Sequence, residues 1–87
     1  MNRFMVVATF KPGTSQDEVT AMAAQENASA MALVDEGILH GVRVSIPRDK
    51  VFLELSAQDL DMAKAAIARL PMVIFWELEI YQVASPL

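Results

Sequence analysis

The sequence predicts an α+β domain in which two β-α-β units follow one another through a hairpin, and three observations carry this. Strand-like and helix-like hydrophobic periods alternate along the chain. Turn and cap residues separate them. The strand-like runs sort into one apolar side and one mixed side.

Residues 3–10 are apolar and rich in valine and phenylalanine, and Pro12-Gly13 punctuates their end, which predicts a first strand. Ser15 and Glu18 then have the spacing of a capping box. Val19, Met22, Ala23, Ala30, Leu33 and Val34 recur at three- and four-residue steps, predicting the buried stripe of a helix. Gly37 supplies its left-handed stop.

Two further strands are expected over residues 42–46 and 50–55, with Pro47, Arg48 and Asp49 as a tight turn between them. Arg43 then stands at the start of the second strand. Ser56 and Asp59 are the expected caps of a second helix. Leu60, Ala63, Ile67 and Leu70 form its stripe, and Pro71 ends it. The last and longest strand is expected over residues 73–83. The order is the ferredoxin-like βαββαβ arrangement, a four-stranded antiparallel sheet with both helices on one face, built as one domain over residues 1–87.

The other face has no helix to cover it. Alternation places Phe4, Val6, Ala8, Phe10, Val51, Leu53, Leu55, Trp76, Leu78 and Ile80 toward the helices. It places Met5, Val7, Thr9, Lys50, Phe52, Glu54, Phe75, Glu77, Glu79 and Tyr81 on the open face. That set is too apolar for a solvated surface and too charged for a simple core. With 87 residues the chain is also small for a self-sufficient core, and 54% of it is hydrophobic. There is no cysteine for a disulfide, and a single histidine cannot build a zinc site. Association is the remaining device: two open faces packed together make a barrel-like homodimer, or part of a higher homo-oligomer, with a partly polar interior.

A net charge of −4 with seven scattered basic residues argues against nucleic acid. No apolar run approaches the roughly 20 residues of a membrane helix, and the first residues lack the pattern of a signal peptide. No membrane contact and a cytoplasmic location are therefore expected by default. The chain has no glycine-rich phosphate loop, nucleophile elbow or metal-ligand cluster, so neither a nucleotide cofactor nor a metal is expected.

Glu54 and Glu77 are the candidate acid–base groups, because a carboxylate enclosed with apolar neighbours can exchange protons near neutral pH. Ion pairing, across a dimer or at a wet rim, is the competing reading. Arg43 could grip a substrate carboxylate with its forked donors or neutralise Glu54 on the neighbouring strand. His40, expected in the connection after Gly37, could overhang the cavity and move a proton, or be an ordinary exposed loop histidine. Tyr81 could donate into the same cavity or pack at its rim. Met5, Val7, Phe52, Phe75 and Glu79 complete the expected wall around a small-molecule ligand or substrate. The acidic residues at 17, 18, 26, 35, 36, 59 and 61 read as helix caps and solvated faces.

The run Leu70-Pro71-Met72-Val73-Ile74-Phe75-Trp76-Glu77-Leu78-Glu79-Ile80 resembles the C-terminal signature of the muconolactone delta-isomerase family. The opening Phe4-Met5-Val6 strand with Lys11-Pro12 after it, the alanine-rich helix ending in Glu36-Gly37, Arg43 and Pro86 fall in comparable places. The resemblance implies a cofactor-free dimeric α+β barrel that isomerises a small unsaturated lactone acid by moving a proton, in the breakdown of aromatic compounds. Ile38, Leu39, Gly41 and Val42 stand where the family has tryptophans around its histidine and arginine, and Val7 stands where it tends to have a basic residue. Two other readings stay open: a non-catalytic dimer that binds a small ligand or a protein, and a cofactor-free monooxygenase of the same barrel class.

Overall fold

The computed structural model describes residues 1–85. The elements run β1 (Asn2–Phe10), α1 (Gln16–Asp35), β2 (Leu39–Val44), β3 (Lys50–Ala57), α2 (Leu60–Ile67), a 3-10 turn (Pro71–Phe75) and β4 (Trp76–Val83). The four strands form one sheet in the order β2-β3-β1-β4, antiparallel at every step. This is the βαββαβ arrangement predicted above. Pro86 and Leu87, with the comparison drawn at Pro86, lie outside the described residues.

The apolar sides of the strands make one core with the helices. Phe4, Val6 and Ala8 of β1 and Val51, Leu53, Leu55 and Ala57 of β3 are buried against Leu33 of α1 and Ala63, Ala66 and Ile67 of α2. Burial of this kind contributes about 25 cal/mol per Å² of apolar surface. Among the described residues one buried polar side-chain atom, the indole Nε1 of Trp76, finds no hydrogen-bond partner.

At the start of α1, Ser15 Oγ accepts the Glu18 N–H at 3.3 Å. Among the described residues the return bond of a full capping box is not formed. At the other end, Gly37 has φ +76°, its N–H reaches the Val34 carbonyl and the Ile38 N–H reaches that of Leu33, both at 2.9 Å. These two bonds close a Schellman motif and turn the chain into β2. The inward stripe of α1 differs from the expected one. Ala23 and Val34 are exposed, whereas Glu26 is partly buried between Met22 and Ala30.

Several boundaries differ from the sequence reading: β2 ends at Val44, and α2 ends at Ile67, before Leu70. Strand β2 begins at Leu39, three residues early, so Arg43 stands near its end and His40 is inside it. Ser56 belongs to β3, and Asp59 alone caps α2, accepting the Met62 N–H at 2.9 Å. The Leu70-Pro71 step opens a 3-10 turn instead of leading directly into a strand, because proline's φ suits a first helical position. Strand β4 therefore starts at Trp76, and β1, with nine residues, is the longest strand.

Candidate functional site

The open face is laid out by strand register. Residues opposite one another across β2, β3, β1 and β4 form cross-strand rows: Arg43, Phe52, Val7 and Glu79 in one, and Gly41, Glu54, Met5 and Tyr81 in the next. Lys50, Thr9 and Glu77 make a third row on one side of these, and Ser56, Arg3 and Val83 a fourth on the other. Directly opposed side chains stand about 5 Å apart at their Cβ atoms, so each row is a set of true neighbours. Met5, Val7 and Phe52 are half-buried, while Glu77, Glu79 and Tyr81 are exposed.

Phe75 does not belong to this face. It closes the 3-10 turn and is only 8% exposed, packed into the helix-side core with Trp76. The two-residue period that assigned it to the wall holds only within the strand, and the strand begins one residue later.

Glu54 is ion-paired within its own chain, with Arg3 Nη1 donating to Oε2 at 2.6 Å. Arg43, the partner considered from the sequence, instead donates to the Val42 carbonyl at 2.9 Å and makes no ion pair among the described residues. Arg3 shares the parity of Met5 and Val7, so its place on this face was readable; its choice of Glu54 follows from the diagonal between adjacent rows. Tyr81 donates its hydroxyl to Glu79 Oε2 at 2.6 Å, and this bond to a carboxylate raises the phenol's pKa. Glu77 has no hydrogen bond or ion pair among the described residues.

His40 owes its position to an irregularity. Leu39 pairs with Leu55 and Gly41 with Glu54, so the β2–β3 register shifts across His40. A bulge of this kind re-aims the extra side chain. The His40 imidazole Nε2 and the Ser56 hydroxyl share a hydrogen bond of 2.6 Å. One end of the open face thus gathers His40, Ser56, Arg3 and Glu54, and the opposite edge carries Glu77, Glu79 and Tyr81.

A further carboxylate escaped the sequence reading. Glu26 reads from the sequence as a solvated acid, yet on α1 it is partly buried and accepts the Met72 N–H at 2.9 Å. Burial raises its pKa from the ordinary value of 4.5, and the Met72 bond offsets part of that rise. Its spacing of four residues from Met22 and seven from Val19 was the available signal.

Among the described residues, no group of three or more His, Asp or Glu side chains could hold a metal ion, and no helix is long and apolar enough to cross a membrane. No family model matches the sequence, and no curated protein matches it. Among solved structures the chain is similar to a crystal structure of muconolactone isomerase at 3.3 Å resolution, with a TM-score of 0.76 and 16% identity. The match covers 97% of this chain and 91% of that one. The two proteins share a fold.

Proposed function

We propose that the chain acts as a cofactor-independent isomerase on a small unsaturated acid or lactone, in a cavity closed when two open faces pack together as a homodimer. The observation that carries this reading is Glu77, which is unpaired among the described residues and projects from the face that holds Val7, Phe52 and Arg43. The likeness in fold to muconolactone isomerase over nearly the whole chain supports the same reaction type. In the reaction, the Glu77 carboxylate takes a proton from a carbon acidified by the conjugated carbonyl system. It returns that proton at the other end of the system, so a double bond moves and nothing is oxidised or reduced. Arg43 has donors left beyond its Val42 bond to hold the substrate carboxylate. Met5, Val7 and Phe52 exclude water, while His40 stands with Ser56 at the opposite end of the face from Glu77 and takes no part in this transfer.

A binding dimer without catalysis is the second reading. The Arg3–Glu54 ion pair favours it, because one of the two candidate carboxylates is held in a salt bridge.

The test is turnover of muconolactone and related unsaturated lactones by wild type, Glu77→Gln and His40→Ala, with sedimentation of each. The expected results are a dimer or larger assembly throughout, turnover by wild type and a loss of about 10²–10⁴-fold in Glu77→Gln. A monomer, or absence of turnover on every lactone, overturns the isomerase reading. Turnover that survives Glu77→Gln overturns the acid–base role of Glu77.

A further inference from the structure

A cavity of about 380 Å³ opens on the helix side of the sheet, where β1 leaves the sheet, α1 begins and the β2–β3 hairpin turns. Its walls include Phe10, Val19, Val51 and Met72, and its lining includes Lys11 and Arg48. Small-molecule sites generally fall between about 300 and 1,000 Å³, with apolar walls and a few polar groups that orient the ligand.

The cations set this cavity apart. Of the chain's seven basic residues, Arg3, Lys50 and Arg69 are engaged in ion pairs with Glu54, Asp49 and Glu36. Two of the remaining four, Lys11 and Arg48, line this one cavity. Lys11 Nζ touches only the Ile74 carbonyl, at 3.3 Å, and Arg48 has no side-chain partner among the described residues. The one carboxylate in the lining, Asp49, is already committed: it accepts from the Ser45 hydroxyl at 2.8 Å and from Lys50 Nζ at 3.3 Å, which lowers its pKa. Arg48 is also the one non-glycine residue with positive φ, +62°, among the described residues. A non-glycine side chain held there is strained. The hairpin carries that strain at the residue whose side chain lines the cavity.

We propose that this cavity is a binding site for a small organic monocarboxylate, its apolar body against Phe10, Val19, Val51 and Met72 and its carboxylate between Lys11 and Arg48. An unpaired guanidinium offers the forked donors that a carboxylate takes two at a time. The site lies on the opposite side of the sheet from Glu77 and does not rest on the isomerase reading.

The experiment is a two-dimensional ¹H–¹⁵N NMR titration of the full chain with 3-phenylpropanoate and with its neutral counterpart 3-phenylpropan-1-ol. Shifts are expected to centre on residues 10–19, 44–51 and 72, with the acid binding about tenfold or more tightly than the alcohol. The double variant Lys11→Met, Arg48→Gly should reduce acid affinity to that of the alcohol; glycine at 48 relieves the positive φ, so the hairpin survives. Val44→Trp, which fills the cavity from its lining, should abolish binding of both probes. Equal affinity for acid and alcohol, unchanged binding in the double variant, shifts centred on the open face, or no shift at millimolar acid would each overturn the proposal. Failure of lactone turnover would leave it standing.

Discussion

The Glu26 carboxylate accepts the backbone N–H of Met72 at 2.9 Å, across 46 residues of sequence. The 3-10 turn beginning at Pro71 has no side-chain cap from its own preceding residue, Leu70. Glu26 therefore supplies from α1 an acceptor that the turn lacks, and it ties the first helix to the segment that launches β4. The carboxylate is partly desolvated for this, and its pKa is raised.

A raised pKa in the folded state means that folding favours the protonated form. Its stabilising contribution is full below the ordinary value of 4.5 and declines as pH rises from there through the folded value. Glu26→Gln keeps a carbonyl acceptor for Met72 and removes the charge. Relative to wild type, this variant should gain thermal stability as pH is raised from 4 toward neutrality, as followed by circular dichroism melts. A constant difference between the two proteins across that range would show that Glu26 does not titrate in this way.

Phe75 and Phe52 provide a test of which ring is core. Phe75→Ala should cost about 3–5 kcal/mol in urea unfolding, because it opens a cavity among buried side chains. Phe52→Ala removes a half-buried ring from the open face and should cost less than about 2 kcal/mol by the same measurement. A reversal of that order would contradict the placement of Phe75 on the helix side.

The Arg3–Glu54 pair is exposed at 45% and 41% of its side-chain surfaces, so solvent screens it despite the 2.6 Å contact. A double-mutant cycle with Arg3→Ala and Glu54→Ala, at protein concentrations low enough to hold the chain monomeric, should give a coupling of at most about 1 kcal/mol that shrinks with added salt. A larger, salt-insensitive coupling under those conditions would contradict the solvent-exposed placement of the pair.

The order of elements, the parity of β1 and β3, the stop at Gly37 and the cap at Asp59 were legible in the sequence, because each depends on a local rule: a two-residue period, a left-handed residue, a cap. The same parity placed Met5, Val7, Phe52, Glu54, Glu77, Glu79 and Tyr81 on one face, since β1, β3 and β4 pair in regular register. What failed was local in appearance and tertiary in cause. The run through residues 73–75 has strand-like composition, yet Pro71 and the acceptor on Glu26 draw it into a 3-10 turn, which carries Phe75 into the core.

Charge partners were decided only by the folded chain. Residue type and strand order point Glu54 toward Arg43, and the diagonal between β1 and β3 gave it to Arg3. His40 meets Ser56 only because the β2–β3 register shifts across it. The cavity with Lys11 and Arg48 brings together residues from the end of β1, α1, the hairpin and the 3-10 turn. Periodicity assigns each residue to a face of its own element, and that the sequence determined alone. Pairing between elements depends on register, bulges and crossing geometry, which exist only once the sheet and helices have packed.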